Sequence, residues 1–408
     1  MNCSLLGAVM NDYNNKKIAV IAYTNYLIDP RVRRISEALV EGGYEIDVYV
    51  LGEEGKSSVM EIGGVRVKHQ AISQYRGDST FAYILSYFKF FFIIFNKLSG
   101  KQYRRNYELI YVHNMPNFIV FSALIPSFLG TKIILDIHDS MPELFATKFP
   151  GRLSQLVHYF LLLEEKLSVA FVDQVFTVHT PQKEFLIKTH RIPERKITEI
   201  TNLADRKLFD PLNFRKSDKK DNIFRLIYHG TIARRFALEV VIEGIGKIKT
   251  KFPNIRLDIY GEGDQVSNIE NMVEKQQISE FVKIHGIVPL DEIPQLISEA
   301  DLGIVSYRAD AATDLMLPLK LLEYTSLELP ALSIKNKAIS YYFGENDLEY
   351  YEAGNPSSFA DKLEMLILNP HRLRELSKCA GEFNKLYQWD KERSKLIRII
   401  GKLIDEKN

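Results

Sequence analysis

Three residues in the last third of the chain have types and a spacing that could bind a phosphorylated ligand. Pro318, Lys320 and Glu323 lie in the segment 317–324, which has the pattern of a helix start with Pro318 at its first position. A helix start presents unpaired backbone N–H groups and a partial positive charge, and both favour a phosphate group. Lys320 would add a full charge, and Glu323 lies on the same side of the helix, where its carboxylate could bind two adjacent hydroxyls.

This pattern predicts a diphosphate at the helix start and a diol one turn deeper, the outline of a nucleotide diphosphate-sugar. The alternative interpretation is a Lys–Glu pair on the surface of an amphipathic helix. A polar stretch that includes Asp310 and Asp314 comes just before Leu317 and is typical of a loop.

A second candidate loop contains one glycine and two arginines. Gly230 ends a predicted strand and would let the backbone approach a ligand closely. Arg234 and Arg235 follow in the same loop, and arginine is a multidentate donor suited to a diphosphate leaving group. The alternative is that both arginines are simply exposed.

Two histidines follow predicted strands in the first half of the chain. The neutral ring of His138 could donate a hydrogen bond to a sugar hydroxyl or stabilise partial positive charge near an anomeric carbon. The alternative is a capping histidine that orders its own loop together with Asp139 and Ser140. His113 and its neighbour Asn114 fit a plain turn as well as they fit a ligand contact.

An arginine-rich segment near the start of the chain has a structural and a functional interpretation. Asp29 and Pro30 predict the beginning of a helix. Arg31, Arg33 and Arg34 are predicted to form a solvated face of that helix. The alternative is that they contact an anionic lipid carrier or a membrane surface.

Composition excludes several classes of protein. With 408 residues, the chain has room for two or three domains, and its 46% hydrophobic and 26% charged content is ordinary for a globular protein. A net charge of +1 does not favour nucleic acid as a partner. Cys3 and Cys379 are too few for a disulfide framework or a zinc site.

The most apolar segment is Phe81–Phe95, which Lys89 interrupts and which is shorter than the ~20 residues of a membrane-spanning helix. It is either a buried core helix or a helix that lies in a membrane interface. Its many aromatic residues favour the interface, as do the cations that follow it, Lys97, Lys101, Arg104 and Arg105. A membrane surface is therefore a predicted partner through residues 81–105. Because residues 1–17 make a poor secretory signal, the predicted location is the cytoplasm, peripheral at the inner face of the membrane.

Short apolar runs alternate with helical patterns, which predicts parallel sheets covered by helices. The predicted strands are Ile18–Tyr23, Ile46–Leu51, Val65–His69, Leu109–Val112, Lys132–Ile137, Gln174–Val178, Ile197–Ile200, Phe224–His229, Ile255–Tyr260, Val282–His285, Leu302–Ser306 and Ala331–Ile334. Helices are predicted in the second half over Leu238–Lys249, Asn268–Gln277, Glu292–Glu299, Pro318–Ser326, Ser357–Leu368, Pro370–Leu386 and Asp390–Ile404.

The alternation breaks once, in a stretch rich in Lys, Arg and Asp that carries Pro211. This predicts an N-terminal domain over residues 1–205, a linker over 206–222 and a C-terminal domain over 223–385. A last helix in residues 386–408 could cross back to the N-terminal domain. In such sheets ligands bind beyond the carboxyl ends of the strands, where most of the candidate residues are predicted to lie.

Taken together and in order, the motifs resemble those of the retaining glycosyltransferases of family 4, which have the two-domain GT-B fold. The likeness covers nearly the whole chain. The segments that carry it are Asp29–Arg34, His113–Pro116, Asp136–Glu143, Thr201–Asp205 with Phe209, Tyr228–Thr231, Tyr260–Gly263, His285–Gly286, Pro318–Tyr324 and Gln388–Trp389. No single segment is specific, but their combined order is.

The resemblance implies two Rossmann-like domains that face a central cleft. It implies a metal-independent transfer, without a cofactor, of a sugar from a nucleotide diphosphate-sugar to a lipid-linked or glycan acceptor in polysaccharide or envelope biosynthesis. The implied catalytic residues are His138, Arg235, Lys320 and Glu323. The implied donor-binding residues are Gly230, Thr231, Arg234, Gly261, Asp310, Asp314, Leu317 and Pro318, and the implied acceptor-binding residues are His113 and Asp139.

The chain departs from the family pattern at four positions. Leu315 occupies the place of the first glutamate of the paired-glutamate motif, Thr231 occupies the place of an arginine, and Phe236 and Glu328 each occupy the place of a glycine. Asp310, Asp314 and backbone amides near Leu315 to Leu317 are candidates for the missing contact to the donor sugar. Two alternatives therefore stay open: a sugar-nucleotide epimerase of similar layout, and a catalytically silent GT-B binding subunit.

Overall fold

A computed structural model of the chain describes residues 16–75, 80–100, 106–146, 151–214 and 221–406. The chain divides into two compact units, one formed by Met1–Thr201 together with Asp390–Asn408, and the other by Asn202–Trp389. The first unit therefore ends four residues before the predicted boundary at 205, and the predicted linker at 206–222 belongs to the second unit. Residues 215–220 of that linker, and Cys3, lie outside the described residues.

The described part of the first unit is an eight-stranded sheet with the order β3-β4-β2-β1-β5-β6-β7-β8, parallel except for the β3–β4 pair. Its elements are β1 (Lys17–Ile21), α1 (Pro30–Glu41), β2 (Glu45–Leu51), β3 (Ser58–Ile62), β4 (Val65–Gln70), α2 (Thr80–Ser99), β5 (Leu109–His113), a 3-10 helix (Asn117–Ala123), α3 (Leu124–Phe128), β6 (Lys132–Ile137), α4 (Met141–Ala146), α5 (Gly151–Phe171), β7 (Gln174–Thr177), α6 (Thr180–His190), a second 3-10 helix (Glu194–Lys196) and β8 (Ile197–Glu199).

The second unit has a six-stranded parallel sheet in its described residues, with the order β11-β10-β9-β12-β13-β14. Its elements are β9 (Phe224–His229), a 3-10 helix (Arg234–Phe236), α7 (Leu238–Ile248), β10 (Ile255–Tyr260), α8 (Val266–Lys275), β11 (Val282–Gly286), α9 (Ile293–Glu299), β12 (Leu302–Val305), α10 (Leu319–Ser326), β13 (Ala331–Ile334), α11 (Lys337–Tyr342), β14 (Glu349–Tyr351), α12 (Pro356–Leu368) and α13 (Pro370–Leu386). The predicted α/β class with two parallel-sheet domains is confirmed.

The last helix, α14 (Trp389–Asp405), belongs to the first unit from Asp390 onward. Its Ile397 lies against the end of α1, where a Cβ added at Gly42 would be 3.1 Å from the Ile397 side chain. Glu392 accepts a hydrogen bond from the backbone N–H of Thr201 at 3.1 Å. The chain thus leaves the first unit after Thr201 and comes back to it at Asp390.

The sequence does not predict the two short strands that lie at sheet edges. β3 is almost wholly exposed and pairs antiparallel with β4, so it lacks the apolar alternation that marks a half-buried strand. β14 has only three residues, too few for a periodic pattern.

The two faces of α2, which contains the segment Phe81–Phe95, differ in burial. One face is a core face, as one of the two interpretations predicted, and the membrane contact of the other interpretation stays a prediction. Four side chains of α2 lie in the hydrophobic core of the first unit: Tyr87, Phe90, Ile94 and Leu98. The opposite face exposes large apolar side chains: Phe81, Ile84, Leu85, Phe88 and Phe92. Among the described residues, α2 is the one helix long and apolar enough to cross a membrane by length and composition. The predicted cations Lys101, Arg104 and Arg105 lie outside the described residues.

Candidate functional site

In the second unit, two neighbouring strands end in glycines whose loops touch. β9 ends at His229 and β10 at Tyr260, and the next residues, Gly230 and Gly261, have φ angles of 110° and 150°. Such angles favour glycine over any residue with a Cβ. A Cβ added at Gly261 would lie 1.9 Å from the carbonyl oxygen of Gly230, so these loops meet backbone to backbone.

The side chain of Lys320 lies next to the Gly230 loop and is buried. Its Nζ is 3.5 Å from the centre of the Tyr228 ring and 4.9 Å from that of Phe236. Burial lowers the pKa of Lys320 well below its usual range; nearby Glu323 opposes this shift, and nearby Arg235 adds to it. An anion bound at this loop would favour the charged form of the lysine.

The helix that carries Lys320 begins one residue later than predicted. α10 starts at Leu319, and Pro318 is its N-cap residue with an extended ψ of 130°. No side chain caps this helix start. The N–H of Leu321 donates to the Pro318 carbonyl at 3.0 Å, so the N–H groups of Leu319 and Lys320 are the ones that could bind a phosphate. The predicted placement of Pro318 inside the helix is wrong by one residue, but the predicted helix start next to Lys320 is present.

Glu323 lies one turn further along α10 and is buried beside a histidine that the sequence analysis missed. The Glu323 Oε2 is 3.3 Å from the Nε2 of His229. Burial, and then the charge of Lys320, lower the pKa of His229 to about 3, so its ring is neutral near pH 7. The carboxylate of Glu323 therefore lies beside a neutral imidazole, that of His229. The signal for His229 was its place at the end of β9, directly before Gly230.

Arg234 and Arg235 lie in a short 3-10 helix after the Gly230 loop, and both side chains are exposed. Their backbone is fixed by Arg308, whose N–H donates to the Arg235 carbonyl at 2.9 Å and whose Nε donates to the Arg234 carbonyl at 2.8 Å. The guanidinium of Arg235 lies 4.7 Å from the ring of Phe236, the ring that Lys320 also faces. Arg235 is therefore exposed to solvent and yet lies beside the same ring as the buried Lys320.

Two predicted donor-binding carboxylates have structural partners in the loop before α10. The Asp310 carboxylate accepts a hydrogen bond from the backbone N–H of Thr313 at 2.9 Å, and Asp314 accepts one from Lys337 N–H at 2.9 Å. Asn336 also fixes the same loop, because its side-chain amide donates hydrogen bonds to the carbonyls of Thr313 and Met316. The sequence analysis did not identify this asparagine, which holds the chain that leads into Leu317 and Pro318.

In the first unit, the buried carboxylate of Asp136 holds the ends of three elements together. Arg31 donates to it twice, from Nε at 2.9 Å and from NH2 at 2.8 Å, and donates from NH1 to the Ile200 carbonyl at 3.0 Å. The hydroxyl of Tyr111 donates to Asp136 at 2.8 Å. Burial alone would raise the pKa of Asp136, but Arg31 and His113 lower it below its usual range. The predicted solvated face of α1 is therefore wrong for Arg31 and for Arg34, which are both buried.

His113 and Asp136 are register partners at the ends of the parallel strands β5 and β6. The His113 Nδ1 lies 3.3 Å from Asp136, and burial lowers the pKa of His113 to about 3. With 1% of its surface exposed, His113 has no surface to offer an acceptor. We therefore expect His113 not to contact an acceptor directly. Instead it supports His138, whose ring centre is 6.0 Å away.

The loop that carries His138 is fixed by Asn114. The side-chain oxygen of Asn114 accepts from the backbone N–H of His138 at 3.1 Å, and its amide donates to the Asp139 carbonyl at 2.7 Å. His138 and Asp139 are partly exposed at this strand edge. His138 remains a predicted catalytic residue and Asp139 a predicted acceptor-binding residue, since the structure leaves each of them a surface that a ligand could reach.

His113, Asp136 and His138 could also be considered as metal ligands, because one ligand atom from each lies within 4.8 Å of the others. However, both oxygens of Asp136 already accept hydrogen bonds from the guanidinium of Arg31. A fixed positive charge at 2.8 Å from the carboxylate disfavours a divalent cation at the same place. The arrangement suits a rigid support for His138 better than a metal site.

Comparison with known proteins decides the family. The model for Glycosyltransferase Family 4 matches residues 30–208, and the model for Glycosyl transferases group 1 matches residues 210–383. The chain belongs to the family 4 glycosyltransferases. The predicted family and GT-B fold are thereby confirmed, and the chain is a glycosyltransferase by relationship.

Curated relatives of this glycosyltransferase are distant. One is a component of the phosphatidylinositol N-acetylglucosaminyltransferase of Arabidopsis thaliana, to which the chain is 22% identical over 229 residues, a match that covers 55% of the chain and 48% of the relative. The chain is also 26% identical over 179 residues to the putative glycosyltransferase EpsD of Bacillus subtilis, covering 43% of the chain and 44% of the relative. The matches thus span about half the length of these relatives.

Solved structures match over almost the whole chain. HepE of Anabaena, in complex with UDP and glucose, superimposes with a TM-score of 0.70 at 13% identity and covers 95% of this chain and 100% of its own. Sucrose-phosphate synthase of Thermosynechococcus elongatus has a TM-score of 0.71 at 14% identity, with 96% and 100% covered. At these identities the likeness establishes the fold alone.

Proposed function

We propose that this glycosyltransferase is a retaining, metal-independent enzyme without a cofactor, which moves a sugar from a nucleotide diphosphate-sugar to a lipid-linked or glycan acceptor. The donor binds to the second unit, and the acceptor binds to the first. The observation that carries this proposal is the position of Lys320, which is buried in the first turn of α10 with its side chain next to the Gly230 loop. Lysine is almost never buried without a partner, and a diphosphate supplies one.

The second unit offers three kinds of positive charge to a diphosphate. The first is the side chain of Lys320, the second is the uncapped start of α10, and the third is the exposed pair Arg234 and Arg235. Backbone N–H groups at a helix start and arginine side chains are the usual ligands of phosphate oxygens. Glu323, one turn further into the unit beside the neutral His229, would accept hydrogen bonds from the two ribose hydroxyls and so hold the nucleotide in place.

In the transfer step, the bond between the anomeric carbon and the leaving phosphate oxygen breaks, and a new bond forms from the acceptor oxygen to the same face of that carbon. The electron pair of the broken bond goes to the diphosphate, and the acceptor proton goes to the leaving phosphate oxygen. Lys320 and Arg235 would stabilise the negative charge that develops on the diphosphate, an electrostatic contribution worth several kcal/mol for groups that are already in place. His138 would bind a hydroxyl of the transferred sugar.

The names of relatives support a lipid-linked or glycan acceptor. One relative is named for phosphatidylinositol N-acetylglucosaminyl transfer and another is named as a chitobiosyldiphosphodolichol beta-mannosyltransferase, and both names contain a lipid acceptor. A structural neighbour, WaaG, is described as a glycosyltransferase of lipopolysaccharide biosynthesis. We therefore place this enzyme in the assembly of an envelope glycan or polysaccharide.

A thermal-shift screen against UDP, GDP, ADP, TDP and their sugars tests the donor class, because a ligand that binds only the folded state raises its stability by mass action. The stabilising nucleotide-sugar is then incubated with the enzyme, with and without lipid-linked acceptors. Acceptor-dependent release of the nucleoside diphosphate supports the proposal. Conversion of the donor without acceptor would indicate an epimerase, and binding without turnover across the whole panel would indicate a silent binding protein.

The variant Glu323→Gln tests the position of the nucleotide within this site. Loss of the carboxylate should weaken nucleotide binding by about 1.5–3 kcal/mol, the typical worth of a hydrogen bond to a charged group. Glu299→Gln, an exposed glutamate on α9, serves as a matched control that should bind as the wild type does. Equal Kd values for the two variants would remove Glu323 from the donor site.

A further inference from the structure

The first unit carries an exposed apolar surface that glycosyl transfer does not explain. Its outer side combines the exposed face of α2 with the exposed face of α5, and the 3-10 helix Asn117–Ala123 packs between them. Phe118 of that 3-10 helix stacks on Phe88 of α2 at 5.0 Å between ring centres, and Phe121 lies 5.2 Å from Phe171 of α5. The two long helices therefore present their outer faces next to each other.

The exposed apolar residues on this outer side follow helical spacing on both helices. On α2 they are Phe81, Ile84, Leu85, Phe88 and Phe92. On α5 they are Leu156, Tyr159, Phe160, Leu163 and Leu167, and the short helix α3 adds Leu124 and Phe128. We call these residues the aromatic face. Single exposed apolar side chains are common on proteins, but exposed stripes of this kind on two helices that pack against the same 3-10 helix mark a surface that contacts something apolar.

Helix α5 buries two carboxylates and exposes an apolar stripe, which is unusual for a helix on a water-exposed surface. Its carboxylates Glu164 and Glu165 point into the protein, where Asn117 donates to both, at 3.4 Å and 3.2 Å, and His190 lies 2.6 Å from Glu165. Ser168 also bonds inward, to Glu164. These carboxylates of α5 are thus satisfied inside the unit. Some apolar residues of the same helix, Leu161, Val169 and Phe171 among them, pack against the core, and a separate stripe of large apolar side chains on α5 faces outward. A water-facing helix buries its apolar stripe instead.

The charge around the aromatic face distinguishes a membrane from a protein partner. In the sequence, the segments 80–107, 115–135 and 144–163, which contain the residues of the aromatic face except Leu167, have no aspartate and no glutamate. Lys166 is exposed between Leu163 and Leu167, and the sequence continues after α2 with Lys101, Arg104 and Arg105. Lys89 also lies on the exposed side of α2, where it pairs with Glu54. An apolar centre with a basic margin fits a bilayer that contains anionic lipids.

A cavity at the C-terminal end of the α2 stripe extends this pattern. Asn96, one turn beyond Phe92, lines a space of about 420 Å³ together with Lys68 and Lys97. Lys68 is bound to Asp47 at 2.8 Å, whereas the ammonium of Lys97 adds a second cation to the same cavity. Two ammonium groups beside an apolar stripe are suited to a lipid phosphate whose acyl chains lie along the stripe.

We propose that the aromatic face binds the surface of an anionic lipid bilayer, with α2 and α5 lying in the plane of the interface. α2 does not span the bilayer, because Tyr87, Phe90, Ile94 and Leu98 stay in the core of the first unit. This surface is independent of the donor site in the second unit, and its binding to vesicles requires neither donor nor turnover. It would bring the first unit to a lipid-linked acceptor.

Vesicle flotation of the full chain tests this proposal. We expect the protein to float with vesicles of equal parts phosphatidylcholine and phosphatidylglycerol, and to float much less with phosphatidylcholine alone or at high salt. The double variant Phe92→Ser, Phe160→Ser should lower the partition coefficient by at least about tenfold, since it removes two large apolar contacts. These side chains are 57% and 58% exposed, so the thermal unfolding of the variant should match that of the wild type.

The matched control is the double variant Leu368→Ser, Leu386→Ser, which removes two equally exposed apolar side chains from the second unit. It should float like the wild type. Recovery of the wild type in the soluble fraction with both lipid mixtures would overturn the proposal, as would equal flotation of the two double variants. A dimer in sedimentation without lipid, abolished by Phe92→Ser, Phe160→Ser, would assign the face to self-association instead.

Discussion

Each unit buries a cation near the carboxyl edge of its parallel sheet, but the two cations are surrounded differently. Arg31 in the first unit donates two hydrogen bonds to Asp136 and a third to a backbone carbonyl. Lys320 in the second unit faces the rings of Tyr228 and Phe236, and Glu323, the nearby carboxylate that favours its charged form, lies 3.3 Å from His229. The guanidinium is fully matched inside the fold, whereas the ammonium is not.

The difference shows how to separate a structural cation from a ligand-binding one. A buried charge that is satisfied by its own protein contributes to the fold, and its removal leaves a partner charge stranded. A buried charge that lacks such a partner costs stability and persists in a protein where a ligand supplies the opposite charge. Sequence alone does not separate the two, since both residues lie close to a helix start beside a proline.

The largest effect is expected where the matched pair is broken. Asp136→Asn should destabilise the first unit by about 3–5 kcal/mol, because Arg31 would remain buried without a counter-charge. Urea unfolding followed by circular dichroism measures the loss. Arg33→Ala, which removes an exposed ion pair with Glu37 on the same helix, should cost no more than about 1 kcal/mol. Similar losses for the two variants would show that Arg31 is not held as the contacts indicate.

In the second unit, the corresponding change should act on activity and not on stability. Lys320→Met should lower kcat/KM for transfer by roughly 100- to 1,000-fold, the typical cost of one preorganised charge-stabilising donor. The free energy of unfolding should stay the same or rise, because a buried ammonium is replaced by an apolar chain of similar length. Lys335→Met, an exposed lysine paired with Glu345, is the control for both measurements. Transfer at the wild-type rate by Lys320→Met would show that Lys320 does not stabilise the diphosphate, and that it is not a ligand-binding cation.

The smallest effect is a change in proton binding. Since burial lowers the pKa of Lys320 in the free enzyme, a bound diphosphate should raise that pKa again, so nucleotide binding should take up a proton. Affinity should therefore fall as the pH rises between the lowered pKa and the usual one. Titration calorimetry with the stabilising nucleotide, in two buffers of different ionisation enthalpy, reports the uptake. A binding enthalpy that is the same in both buffers, or an uptake that persists in Lys320→Met, would contradict this assignment.

Most of the fold could be predicted from sequence because buried parallel strands are continuous apolar runs with polar ends. β6, β9, β10 and β13 have the predicted bounds, and the helix α13 does as well. The strand β3 was missed since its residues face water on both sides. The pattern at Phe81–Phe95 predicted an apolar helix, but the division of its faces between core and surface depends on tertiary packing that no local period encodes.

The candidate site was predictable where one helix or one loop supplies the residues. Lys320 and Glu323 lie one turn apart on α10, and the spacing alone places them together. The pair Arg31 and Asp136 was not predicted, since its members are 105 residues apart and an arginine in a basic run has the pattern of a solvated face. His229 gave no signal of its own beyond its position at a strand end.

The return of α14 to the first unit has a consequence for how the molecule is made. Residues 202–389 form an insertion within the first unit, so a fragment with these limits is one continuous piece, whereas the surrounding unit is not. During synthesis all residues of the inserted unit are made before the helix that completes the first unit. The unit that begins first is completed last, when the final helix delivers Ile397 to Gly42.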